Sequence, residues 1–191
     1  MRKETIFKLF SHIPLLETPR LILRGMRVRD AEDMYAYSCR EDVTRYLLWS
    51  PHRDIGFTRE YLTYIGQRYR TGDFFDWAVV HCESGHMIGT CGFTSFDYGA
   101  DAGEIGYVLN PEYGGQGLAT EAVRCVIGFG FGGLHLHRIE ARFMQGNDPS
   151  RRLMERVGMT FEGWSRDAIK VNGAYRTIGR CSLLADEWQD T

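Results

Sequence analysis

The hydrophobic positions of this chain follow two rhythms that change over near residue 74. Upstream, after Pro19, the run RLILRGM (20–26) has the makings of a strand. Two helical stretches follow, one over Asp30 to Ser38 and one over Thr58 to Arg70, where Tyr61, Leu62, Ile65 and Tyr69 recur at helical spacing. Between them YLLWSPHRDIGF mixes aromatics with turn residues and reads as a loop able to shape a pocket. From Phe74 the pattern shortens to β-type runs, FFDWAVVHC, HMIGTCGFTSF and GEIGYVLN. ESG and DYGADAG, which are turn chemistry, separate these runs, so they predict consecutive antiparallel strands.

Further on, Ala119, Ala122, Val123, Val126 and Ile127 form one apolar face of an amphipathic helix. HRIEARFM reads as the next strand. Asn147 and Asp148 precede Pro149, which suits a helix's first turn, and Leu153, Met154 and Val157 give that helix its buried stripe before Gly158 ends it. The last two runs flank Asn172-Gly173, the strongest short hairpin signal in the chain. The predicted order is β-α-α-β-β-β-α-β-α-β-β, an α+β fold with a largely antiparallel sheet.

Composition narrows the class. A chain of 191 residues suits one domain, with its core expected over about 15–188. Lys plus Arg (23) nearly balance Asp plus Glu (25), so no global field favours nucleic acid or an anionic membrane. The five cysteines, Cys39, Cys82, Cys91, Cys125 and Cys181, are scattered without a C-x-x-C pair, which fits neither a disulfide framework nor a zinc ribbon. Lys8, Ser11 and His12 interrupt the N-terminal apolar residues where a signal peptide needs an unbroken core, and no run approaches the roughly 20 apolar residues of a membrane span. A cytoplasmic, reducing location is the expectation.

The chemistry centres on EYGGQGLATEA (112–122), where a strand ends, three glycines follow and a helix begins. Glycine permits positive φ and close approach, and a helix N-terminus offers unpaired N–H groups to an anion such as a phosphate. Taken alone, Gly-Gly-x-Gly more often just makes a tight turn. A P-loop is excluded because the chain has no Gly-Lys dipeptide, and the G-x-G-x-x-G formed by Gly128, Gly130 and Gly133 falls where a helix ends.

With its neighbours the loop says more. NPEYGGQGLATEAV, preceded by GEIGYVLN and followed by LHRIEARFMQGNDPSRRLMERVGMTFEG, resembles the Gcn5-related N-acetyltransferases (GNAT), and most of all their RimJ/RimL-type ribosomal-protein branch. LETPRLILRGMRVRDAEDMY at the start and NGAYRTIGRCSLLADEW at the end extend the resemblance over nearly the whole chain. It implies an acetyl-CoA-dependent N-acetyltransferase that needs no metal. The pyrophosphate would rest on Gly115, Gln116, Gly117, Leu118, Ala119 and Thr120, mostly through backbone amides. The family's loop often begins with Gln or Arg; here that position is Gly114, so one side-chain contact is missing. The backbone of Tyr107, Val108 and Leu109 would pair with the pantetheine arm and face the thioester oxygen, a kind of stabilisation worth several kcal/mol.

Acetyl transfer to an amine needs a neutral nitrogen and a proton for the departing thiolate. The resemblance makes Glu104 the base, with binding of the substrate amine as its other role; the plain alternative is a solvated edge-strand glutamate. It places Asn147 beside the cofactor and Ser150 near its sulfur as proton donor. The plain alternative there is an N-cap at Asn147 or Asp148 and a first-turn serine. Arg151 and Arg152 read as solvated. His135 and His137 would share a strand face but have no companion ligand for a metal. Cys91 and Cys125 read as core. TRYLLWSPH and DFFDW could line an acceptor pocket, and Thr177 stands where relatives often carry an aspartate. The leading acceptor is a protein N-terminal α-amine, with ribosomal proteins suggested by resemblance. A small amine (antibiotic, polyamine or amino acid) or a non-catalytic acyl-CoA-binding module are the other readings. Relatives also suggest a homodimer.

Overall fold

The computed structural model describes residues 2–189. Its strands are β1 (Leu16–Glu17), β2 (Leu21–Arg24), β3 (Phe75–His81), β4 (Met87–Asp97), β5 (Ala102–Leu109), β6 (Arg138–Met144), β7 (Thr160–Val171) and β8 (Ala174–Leu184). The helices are α1 (Lys3–Phe10), α2 (Ala31–Ser38), α3 (Glu41–Thr44), α4 (Ile55–Thr71), α5 (Leu118–Gly132) and α6 (Asp148–Arg156). All eight strands form one sheet in the order β1-β2-β3-β4-β5-β6-β8-β7. Neighbouring strands are antiparallel except β5 and β6, which run parallel. Helix α5 connects that parallel pair, as two parallel neighbours require a crossover.

Both faces of the sheet are covered, which is why β3 reads as an almost unbroken apolar run. On one face Trp77 and Val79 pack with Ile6 and Phe10 of α1 and with Leu118, Ala122, Val123, Val126 and Ile127 of α5. On the other, Ala78 and Val80 meet Met34 and Tyr37 of α2 and Leu62, Ile65 and Tyr69 of α4. The spacing read for α4 and α5 is therefore their buried stripe. Helix α4 starts three residues earlier than its periodicity suggested, because the Asp54 carboxylate accepts from the Phe57 N–H as an N-cap.

Three short elements escaped the pattern. The predicted order begins with a strand, but α1 precedes it: Ile6 and Phe10 are spaced for one helix face, and the Phe10 ring lies 5.0 Å from Phe75 and 5.2 Å from Trp77. Strand β1 and the four-residue α3 are too short to show periodicity. His135 and His137 are not on a strand face; they lie in the exposed turn before β6, with His135 at φ 54°. At the β7–β8 hairpin Asn172 (φ 49°) and Gly173 (φ 80°) adopt the left-handed pair that a tight two-residue turn needs. No described helix is long and apolar enough to cross a membrane.

Candidate active site

The parallel β5–β6 pairing holds from Ala102↔Arg138 to Ile105↔Ala141 and then stops, although both strands continue. β5 stays paired with β4 as far as Leu109, and β6 stays paired with β8 as far as Met144. The two strands thus part, leaving residues 106–109 with a strand neighbour on one side only. A cavity of about 540 Å³ occupies this region. Its walls include Glu104, Tyr107, Val108, Asn147 and Ser150, five of the residues singled out by sequence. Tyr46, Leu47, Leu48, Trp49, Phe74 and Phe75 also line it, so both aromatic stretches contribute to the pocket wall.

Glu104 is on an interior strand, which corrects the reading of it as a solvated edge residue. Its side chain is 18% exposed and held on both oxygens: Arg142 Nε lies 2.7 Å from Oε2, and Arg142 Nη2 donates to Oε1 at 2.9 Å. The Thr94 hydroxyl donates to Oε1 at 3.1 Å. An ionised carboxylate offers about four lone-pair sites. Three are engaged here, leaving about one for a substrate.

Asn147 is the N-cap of α6, accepting from the Ser150 N–H at 3.3 Å, and Ser150 sits in the first turn. The local structural reading of these residues therefore holds, and both still face the cavity. The Ser150 hydroxyl lies 2.8 Å from Tyr107 Oη. Burial pushes the Tyr107 phenol well above its ordinary pKa, so it keeps its proton. Sequence reasoning gave Tyr107 a backbone role only. The structure adds its hydroxyl, which crosses the gap between β5 and α6.

The glycine loop follows the C-terminal end of β5. Gly115 (φ 75°) and Gly117 (φ 78°) are left-handed, and Gly117 is the N-cap of α5, which no side chain caps. A substituent on Gly115 would meet nothing within 4 Å, so the loop is open to solvent. Gln116 is exposed, Leu118 is buried beneath the loop, and Ala119 and Thr120 are half-buried. The first-turn amides of α5 thus point outward from a positive helix end, an arrangement suited to a phosphate.

A brace that the sequence did not announce holds this loop. The Thr18 hydroxyl donates to Glu121 Oε1 at 2.6 Å, the Arg20 Nε donates to Oε2 at 2.7 Å, and Arg20 Nη1 donates to the Gln116 carbonyl at 2.9 Å. On the far side Arg156 Nη1 donates to Thr120 Oγ1 at 3.2 Å. Arg151, by contrast, pairs with Glu155 at 2.8 Å along its own helix, away from the loop. Cys91 is buried and Cys125 half-buried, and burial pushes both thiols up. No group of three or more metal-ligating side chains occurs among the described residues.

Known proteins share this fold. A GNAT-family acetyltransferase structure from Bacillus anthracis superposes with a TM-score of 0.81 at 27% identity, over 91% of this chain and 100% of that one. The fold is therefore that of an acetyltransferase. The family model for the acetyltransferase (GNAT) domain matches residues 20–160, and the chain belongs to the GNAT N-acetyltransferases. An uncharacterized N-acetyltransferase, p20, of Bacillus licheniformis is 35% identical over 91% of this chain and 97% of its own length. The [ribosomal protein uS5]-alanine N-acetyltransferase of Escherichia coli is 28% identical over 93% of this chain and 95% of its own.

Proposed function

We propose that this enzyme moves an acetyl group from acetyl-CoA directly to a primary amine, and that the amine is the N-terminal α-amine of a protein, of the ribosomal kind. The observation that carries the reading is the parting of β5 and β6 beyond Ile105 and Ala141, with Glu104 and the Tyr107–Ser150 pair at its edges. The exposed glycine loop, whose α5 end no side chain caps, fits a pyrophosphate. The backbone of Tyr107, Val108 and Leu109 offers an extended arm the hydrogen-bonding edge that β6 leaves free. Gly115, Gln116, Gly117, Leu118, Ala119 and Thr120 cradle the phosphates, and Asn147 fixes the start of α6 beside the arm.

Glu104 receives the substrate amine. Arg142 already neutralises its charge, so its remaining lone-pair site positions a nitrogen more than it draws off a proton. That arrangement favours an α-amine, which ionises near pH 8, over a lysine amine, which ionises near 10.4. Ser150, backed by the Tyr107 phenol, supplies the proton for the thiolate. The thiol's ordinary pKa of about 8.5 makes this a modest contribution. The uS5-alanine relative supports the protein acceptor.

A small amine is the second reading, favoured by a cavity volume within the roughly 300–1,000 Å³ of small-ligand pockets. A thiol-release screen over alanine- and serine-initiated peptides and over small amines separates the two. Turnover on peptides, lost in Glu104→Ala while acetyl-CoA still binds, is the expected result. Turnover only on small amines would overturn the protein acceptor, and tight acetyl-CoA binding without turnover on any amine would overturn the enzymatic reading of the site.

A further inference from the structure

Asp76 is a second carboxylate in the cavity wall, and nothing in the proposed reaction has used it. It lies on β3, in register with Gly92 of β4, which is in register with Gly106 of β5. The three positions share one face of the sheet, and Asp76 and Gly106 line the cavity. Neither glycine puts a side chain between Asp76 and the parted edge of β5. A Cβ on Gly92 would come within 2.7 Å of Asp76 Oδ1, so the carboxyl leans over β4 toward β5. From there Gly106 is one strand spacing away, about 4.8 Å.

The surroundings leave Asp76 unanswered. The Thr90 side chain and the Trp77 N–H lie against its carboxyl, yet Oδ1 is closed off and has no hydrogen-bond partner. No ion pair reaches it among the described residues. Arg68, the cation on the same wall, is paired with Asp73 at 2.7 Å, and Arg142 is paired with Glu104. The remaining groups that feel its charge are Tyr37 from α2, Tyr61 and Tyr69 from α4, and Cys91 from β4, all of them pushed upward and neutral.

The geometry points to Asp76 as the acceptor of the proton that the amine sheds during acetyl transfer, reached through the cavity that Asp76 and Gly106 both line. This deepens the proposed acetyl transfer and rests on it. The amine nitrogen forms the C–N bond, the C–S bond breaks, the nitrogen's proton passes to Asp76, and the thiolate takes a proton from Ser150; Ser150 then regains a proton from solvent as Asp76 releases its own to solvent, so the enzyme ends as it began. Glu104 then orients the amine while Asp76 takes the proton. Burial lifts the Asp76 carboxyl from 3.8 to about 7, so its conjugate base is present at neutral pH and matched to the task. Its raised value also means that activity should rise with pH through about 7.

Two measurements on the full chain test this. In the first, the carboxyl ¹³C resonance of Asp76, assigned by its loss in Asp76→Asn, is titrated; a midpoint near 7 is expected, and one below about 5 overturns the assignment. In the second, kcat/KM is followed against pH with the best acceptor from the peptide and amine panel. Wild type should show a rising limb near pH 7 beside the acceptor's own. Asp76→Asn should lose that limb and about 100-fold in kcat at pH 8, with acetyl-CoA binding unchanged by calorimetry. Asp76→Glu should restore part of the rate, and Glu104→Gln should keep the limb while raising the acceptor KM. An Asp76→Asn enzyme that keeps its rate and its limb refutes the proposal even if the protein still acetylates amines. If wild type turns over no acceptor, the acetyl-transfer reading fails, and the role of Asp76 in proton transfer fails with it.

Discussion

Asp76→Asn should remove a loss of stability that the folded protein otherwise suffers as pH rises from about 4 to about 7, an effect separate from any rate. The folded state holds the Asp76 proton up to about pH 7, whereas an unfolded chain releases it near 3.8. Between those values the folded state binds more protons, so stability falls as pH rises. For one group, linkage sets the slope at about 1.4 kcal/mol per pH unit inside that window, or roughly 2–3 kcal/mol between pH 5 and 7. In a chain of this length each kcal/mol moves Tm by about 2–4 °C, so this carboxylate alone should lower the wild-type Tm by about 5–10 °C across those two units. An asparagine side chain cannot ionise, so the variant lacks this component. Tm measured by circular dichroism at pH 5, 6, 7 and 8 for both proteins isolates it, since any constant loss at the Thr90 contact cancels in the difference. Parallel Tm–pH curves would show that Asp76 does not ionise in this window, and the assignment of its role would fail with them.

Other outcomes follow from the loop and the hydroxyl pair. Gly117→Ala places a side chain at φ 78° and should cost about 1–2 kcal/mol while weakening coenzyme A binding about 5-fold or more by calorimetry; unchanged affinity would remove the loop from the site. Glu121→Ala removes the bonds from Thr18 and Arg20 and should destabilise by about 1–3 kcal/mol in urea titrations. Although burial works against it, those bonds hold the Glu121 carboxyl below its ordinary value, so the stabilisation is present above pH 4.5 and fades as pH falls through the lowered value. Ser150→Ala and Tyr107→Phe should each lower kcat about 10-fold or less, because the thiolate leaves readily; two fully active single variants would exclude the pair as proton donor.

Much of the fold is legible because its longest elements carry clean periodicity. The apolar face of α5, the runs of β3, β4 and β5, and the Asn172-Gly173 turn each follow from local chemistry. The site is legible only in part. Glu104 and Ser150 lie in motifs, but Arg142 follows Glu104 by 38 residues and no local pattern joins them. The brace from Thr18 and Arg20 to Glu121 spans about a hundred residues for the same reason. Asp76 was hidden differently. DFFDW reads as an aromatic stretch able to line a pocket, and only the neighbours of β3 on both sides place its second aspartate on an interior strand. The signal available in sequence was the acid itself, two positions before Ala78 on the same strand face.

The parting of β5 and β6 also has a mechanical meaning. Among the described residues, four register pairs are the whole of the strand pairing between the half of the sheet holding β1 to β5 and the half holding β6 to β8, with the Glu104–Arg142 ion pair beside them. A sheet seamed so briefly has a built-in crease along that line. An extended ligand laid against residues 106–109 would act as a splint across the crease, so the enzyme should stiffen as it loads its donor, with slower hydrogen exchange on either side of the seam.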